Sequence, residues 1–232
     1  MLHIKKDGLN RSYLREIYQM KNIKNIILDY GNVIFNIDFK RTQAAFEALG
    51  VAHVESFYSH KIQHPLFNQF EKGEISAAEF RNGIRAISEK PNLTDAQIDH
   101  TWNSLLIGIP DGNHELLLTL KLKYRTFLLS NINEIHLDYI QKYLKNTFGL
   151  DGNEMFFEKI YYSHLIGKRK PDPEIFEQVL TENDLKPEET LFIDDSPQHL
   201  ASAEKMGIQT YLMTYPDTIQ DFFEQHFKEI DL

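Results

Sequence analysis

A doubly wound α/β fold, a parallel sheet with helices on both faces, is predicted by three observations. Short apolar runs recur along the chain with helical patterns between them, as successive βαβ units require. Several of the runs stop abruptly on polar residues, and the carboxyl edge of such a sheet is where ligands collect. One long stretch breaks the alternation with helix-period sequence alone, which predicts a helical insertion. With 232 residues the chain can hold one large domain, or a core domain carrying a smaller inserted one.

The elements follow in order. The opening "MLHIKKDGLNRSYLREIYQMKNIKN" is polar and mixed in charge, so residues 1–21 read as a surface arm or short helix. It lacks the apolar stretch of a secretory signal. "NIIL" (25–28) reads as a buried strand delivering Asp29 to a turn through Gly31 and Asn32. From about 40 to 110 apolar residues recur at spacings of three and four, and no strand is predicted there. Ser76 with Glu79, and Thr94 with Gln97, read as capping boxes that start two of these helices. Further strands are predicted at 124–130, 159–163, 190–194 and 208–213. The helix before the last of them is predicted to close at Gly207.

The bulk chemistry excludes several classes. There are no cysteines, which removes disulfides, thiolate catalysis and cysteine-held zinc. A net charge of −9 argues against nucleic acid and means that an anionic substrate must meet local positive charge. No apolar run reaches the ~18 residues of a membrane span, and a cytoplasmic location is the expectation.

Four polar groups stand out, three of them where strands end. Asp29 sits on a rigid strand end beside a Gly-Asn turn, although a lone aspartate there is also what a turn or helix cap uses. Ser130 and Asn131 offer a hydroxyl and an amide to phosphate oxygens, and equally suit an N-cap. Lys170 in "GKRKPDPEIF" precedes a helix started by proline, while Lys168 and Arg169 read as solvated surface. Asp194 and Asp195 are adjacent carboxylates at a strand end; a helix N-terminus accounts for one of them, a divalent cation for both. His60, His64, Glu71 and Lys72 lie near turns of the insertion and read mainly as surface polar residues, and Trp102 as core.

Together, Asp29 in "DYGNV", Ser130 in "LLSN", Lys170 in "KPDPEIF" and Asp194-Asp195 in "FIDDS" resemble the four ordered motifs of the haloacid dehalogenase-like (HAD) superfamily. The resemblance runs from about residue 22 to 225. It implies a core formed by 22–39 and 113–232, and a helical C1 cap over 40–112. It further implies a Mg²⁺-dependent phosphatase acting through an aspartyl-phosphate. Asp29 would be the nucleophile, and Asp29, the Gly31 carbonyl and Asp195 direct metal ligands, with Asp194 acting through water or orienting Asp195. Ser130, the Asn131 backbone N–H and Lys170 would hold the phosphoryl group. The implied partner is a small phosphorylated metabolite, with no nucleic acid and no membrane, and the expected assembly is a monomer or weak dimer.

One position departs from the superfamily pattern. Two residues after the nucleophile most of these phosphatases carry a second Asp that protonates the leaving oxygen; here that residue is Gly31. Three readings follow. A 2-haloacid dehalogenase also lacks that Asp, but its motifs contain no metal-binding carboxylate pair. A non-catalytic binding protein would tolerate the loss. A phosphatase with a good leaving group would need less protonation, and "DYGNVIFNIDF", "FEKGEISAAEF" and "KRKPDPEIF" are similar to segments of bacterial α-D-glucose-1-phosphate phosphatases. That similarity makes a sugar phosphate such as glucose 1-phosphate the expected substrate. Asp38 is a candidate to replace the missing acid.

Overall fold

Strands that are apolar at every position must be covered on both faces, and this requirement sets the architecture. The computed structural model describes Met20, residues 22–56 and residues 64–227; most of the N-terminal arm and His60 lie outside them. β1 (Asn25–Leu28) leads into β2 (Asn36–Ile37). Four helices follow: α1 (Phe39–Ala48), α2 (Pro65–Glu71), α3 (Ala77–Ile87) and α4 (Asp95–Asn103). Then come β3 (Leu106–Gly108), α5 (Asn113–Lys123), β4 (Arg125–Ser130), α6 (Glu134–Phe148), β5 (Lys159–Tyr162) and the short α7 (Ser163–Ile166). The chain continues through α8 (Pro173–Glu182), β6 (Thr190–Asp194), α9 (Pro197–Glu204), β7 (Gln209–Leu212) and α10 (Ile219–His226). No described helix is long and apolar enough to cross a membrane.

The five longer strands form one parallel sheet in the order β5-β4-β1-β6-β7. All five predicted strands form. Their period of two sends Ile26, Leu28, Leu128 and Ile193 to one hydrophobic cluster and Ile27, Phe127, Leu129 and Phe192 to another on the opposite face. The chain moves outward from β1 through β4 to β5, then crosses back to β6 on the other side of β1. The strand order therefore reverses beside β1, and the carboxyl ends of β4, β1 and β6 flank that point.

The inserted helices have a core of their own, in which Phe46, Phe67, Phe70, Phe80 and Trp102 are almost fully buried. Phe70 stacks on Phe80 with ring centroids 4.2 Å apart. Both predicted capping boxes are present, at Ser76–Glu79 and Thr94–Gln97. The expectation of no strand between 40 and 110 fails at β3, which pairs antiparallel with β2. Three residues, with Ile107 half exposed, are too few to show a period.

The helices lean on the sheet domain at a turn that only glycine fits. Gly73, just past α2, has φ +66°, and a Cβ there would lie 2.1 Å from the His164 carbonyl oxygen of α7. Gly73→Ala is expected to lose about 1–2 kcal/mol from the left-handed backbone, and more from the backbone clash. Gly149→Ala provides the contrast, since its φ is +73° but nothing lies within 4 Å. Urea unfolding of both variants checks this; equal losses would remove the contact with α7 as the cause.

Candidate active site

Three neighbouring strands bring three polar residues to one edge. Asp29 follows β1, its N–H donating to the Ile193 carbonyl at 2.9 Å. Ser130 is the last residue of β4 and Asp194 the last of β6. All three are buried, Asp194 completely. The turn after Asp29 is held by N–H groups of Ile34 and Phe35 donating to the Tyr30 carbonyl.

Lys170 reaches this edge from the loop before α8 and is fully buried. Its ammonium lies 2.7 Å from Asp29 Oδ1 and 2.7 Å from Asp194 Oδ2. Burial works against this charge, but the two carboxylates outweigh it and hold the Lys170 pKa above its ordinary value. Burial would likewise raise Asp194; Lys170 and His199 overcome it and hold that carboxyl down at about 2. For Asp29 burial wins, helped by the negative charges of Asp194 and Asp195, and its pKa is pushed up to about 8. Asp29 Oδ1 also accepts from the Tyr30 N–H at 2.7 Å.

Each remaining predicted residue has a definite place. Asp195 is partly buried, and its Oδ2 accepts from Asn32 Nδ2 at 2.9 Å. Asn32 takes a left-handed φ of 54° and also accepts from the Ile37 N–H, so the Gly-Asn turn is built to hold Asp195. The Asn131 side chain does not face a ligand as its amide suggested. It donates to the Lys170 carbonyl and accepts from the Lys170 N–H, both at 2.9 Å. Both Asp194 oxygens are engaged, Oδ2 by Lys170 and Oδ1 by the Ser196 N–H and by His199 Nδ1–H at 2.9 Å. His199 was missed from sequence; its position one turn into the helix after Asp194 was the available signal.

A cavity opens beside this edge, between the sheet domain and the inserted helices. Gly31, Ser130, Asn131 and His136 line it from the sheet domain, and Glu71 and Trp102 from the inserted helices. His136 is held neutral: burial pushes its pKa down to about 4, Nδ1 accepts from Asn133 and Nε2–H donates to the Trp102 carbonyl. The room that a side chain at Gly31 would use is taken by Ile37, whose Cδ1 would be 2.9 Å from an added Cβ. Asp38, the candidate replacement acid, instead caps α1, accepting from the Lys40 N–H at 2.9 Å. His64 caps α2 from an exposed position.

Two surface expectations are corrected. Arg169 is not solvated: its guanidinium lies 2.9 Å from Glu71 Oε2 and donates to Asn68 Oδ1, with only 18% of the side chain exposed. Glu71 is correspondingly not a surface residue, with 16% of its side chain exposed. Lys72 pairs with Asp172 at 3.0 Å, so α2 is tied to the Lys170 loop by two ion pairs. Neither was legible because the partners are far apart in sequence.

The donor set fits a hard divalent cation. Asp29, Asp194 and Asp195 each offer a carboxylate oxygen within 4.8 Å of the others, with no softer ligand among them. Three carboxyl groups stand around the Lys170 ammonium, and a divalent cation would add positive charge there.

The chain is similar to several known proteins. Residues 107–213 match the family model described as haloacid dehalogenase-like hydrolase. A D-ribitol-5-phosphate phosphatase from Bacteroides thetaiotaomicron is 30% identical over 191 residues, 82% of this chain and 91% of that one. A crystal structure of a HAD family enzyme from the same organism, in complex with magnesium and inorganic phosphate, is 38% identical with a TM-score of 0.80. That match covers 87% of this chain and 98% of the other. The structure of a predicted HAD-like family hydrolase from Porphyromonas gingivalis is 34% identical with a TM-score of 0.76, covering 84% and 93%.

Proposed function

The chain belongs to the haloacid dehalogenase-like hydrolase family, and on that premise we propose that it is a Mg²⁺-dependent phosphatase of a small phosphomonoester. The observation that carries this reading is the meeting of Asp29, Lys170, Asp194 and Asp195, from three separate stretches of chain, around one point. The relatives support it, one named as a phosphatase of a polyol phosphate and one solved with magnesium and phosphate. A sugar phosphate such as glucose 1-phosphate is the finer proposal, resting on the sequence similarities at the Gly31 turn and in "FEKGEISAAEF".

In the proposed reaction Asp29 attacks phosphorus, and the resulting aspartyl-phosphate is then hydrolysed, which divides one difficult displacement into two. Magnesium, held by Asp29, the Gly31 carbonyl and Asp195, would screen the anionic nucleophile from the anionic phosphate. Lys170 orients Asp29 through Oδ1, and its remaining proton is free for a phosphoryl oxygen. Asp194 fixes the Lys170 ammonium and is itself fixed by Ser196 and His199. The Ser130 hydroxyl and the Asn131 N–H complete the phosphoryl cradle. The helical segment over 40–112 acts as the cap, controlling access of water and substrate.

The test is hydrolysis of a panel of phosphorylated metabolites, with and without EDTA, beside halide release from 2-chloroacids. Activity that falls to background in EDTA and returns with MgCl₂ is expected. Metal-independent activity, or released halide, would refute the reading.

A further inference from the structure

Nothing at Gly31 can protonate a leaving group, and Ile37 fills the space where a side chain would stand. We infer that Glu71, on α2, supplies the acid–base function across the cavity; this rests on the phosphatase reading. In-line displacement sends the leaving oxygen away from the attacking Asp29, out of the sheet edge and toward the inserted helices. Glu71 lines that side of the cavity that Gly31, Ser130 and Asn131 line from the other.

Apart from the Ser130 hydroxyl, which the proposed reaction assigns to the phosphoryl group, the other polar side chains lining the cavity are occupied. Both ring nitrogens of His136 are bonded. The Asn131 amide is held by the Lys170 backbone, and the Tyr30 hydroxyl accepts from Asn153. Glu71 Oε2 is buried without a hydrogen bond, even though the Arg169 guanidinium stands beside it. Burial raises the Glu71 pKa; Arg169 and Lys170, the two cations facing it, pull it back without cancelling the rise. Lys72, the next residue, turns away to Asp172. A carboxyl poised to hold and release a proton is what the reaction lacks at Gly31.

The steps balance. As Asp29 Oδ bonds to phosphorus, the bond from phosphorus to the leaving oxygen breaks; its electron pair goes to that oxygen, which takes the Glu71 proton. The Glu71 carboxylate then removes a proton from water, whose oxygen attacks phosphorus. The bond between phosphorus and Asp29 breaks, its pair returns to the Asp29 oxygen, and Glu71 is left protonated for the next turnover.

Glu71→Gln tests the inference with two substrates in Mg²⁺. With an alkyl phosphate, whose leaving oxygen needs a proton, kcat/KM is expected to fall about 10²-fold or more. With 4-nitrophenyl phosphate, whose leaving group needs none, kcat/KM is expected to stay within a few-fold of wild type. There kcat falls and a burst of one equivalent of nitrophenolate appears, because hydrolysis of the intermediate has become slow. Arg169→Leu breaks the same ion pair but keeps the carboxyl, and is expected to show neither the selective loss nor the burst. Equal losses with both substrates, no loss with either, or an Arg169→Leu variant that copies Glu71→Gln would overturn the assignment while wild-type activity upheld the phosphatase reading. A wild type inert to both phosphates would overturn that reading and the assignment together.

Discussion

Asp29→Asn is expected to lower turnover by roughly 10⁴–10⁶-fold, the scale seen when a nucleophile is removed, while the metal-free fold becomes firmer. The two effects have one origin. With no metal bound, burial and the nearby Asp194 and Asp195 outweigh the Lys170 ammonium, and the Asp29 pKa is pushed up to about 8. The unfolded chain releases that proton near 3.8, so between about 4 and 8 the native state binds more protons than the unfolded state. Stability carried by this group therefore falls as pH rises through that window. Asparagine keeps the shape and has no proton to lose. His136, with its pKa held near 4, contributes the opposite slope between about 4 and 6.5, but it does so in both proteins. The difference between wild type and Asp29→Asn is thus the informative curve. Urea midpoints in EDTA from pH 5 to 8.5 are expected to show the variant gaining on the wild type as pH rises. Magnesium, binding only the folded wild type well, is expected to narrow the gap. A flat difference curve would mean that Asp29 is not the buried, repelled carboxyl described above; retained turnover would remove it as nucleophile.

Lys170→Met is the second large effect, and it acts on the fold first. The ammonium is fully buried and bridges Asp29 and Asp194 at 2.7 Å each. Its removal leaves two buried carboxylates with no cation between them, and breaking a buried pair in this way costs about 3–5 kcal/mol. At about 2–4 °C per kcal/mol for a chain of this size, Tm is expected to fall by roughly 10 °C in EDTA. Acid should restore part of the loss, because Asp194, no longer held down by the Lys170 ammonium, can then take up a proton. Phosphatase activity is expected to disappear even at temperatures where the variant is folded. A Tm within 2 °C of wild type would show that the bridge contributes little and that the carboxylates find other partners.

The sheet was readable because its strands are apolar at every position, a pattern that only burial on both faces explains. Asp29, Ser130 and Asp194 were readable as a group because each ends such a strand, and strand ends in this fold converge. The unread parts depend on contacts between distant residues. Asn131 has the composition of a ligand-facing amide, yet it braces the backbone of Lys170. Arg169 stands between two lysines in an apparently solvated run, and only the packing of α2 against that loop takes it out of water. The β2–β3 ribbon was invisible because two or three residues carry no period. Asn32 is the instructive case. Its turn-forming character was evident, but its grip on Asp195 links the first and last of the chemical motifs and needs the folded sheet to exist.

The ribbon has a consequence for how this scaffold can change. Asn36 pairs with Gly108, and the Asp38 N–H bonds to the Leu105 carbonyl, so the polypeptide departs and re-enters side by side. A longer or shorter excursion from that doorway costs little, about 0.6 kcal/mol per doubling of a flexible length. Whereas α2 is tied to the Lys170 loop and carries Glu71, variation in α1, α3 and α4 need not disturb the edge where phosphorus would be handled. New substrate preferences can be grafted there as interchangeable parts, with the reacting groups left in place.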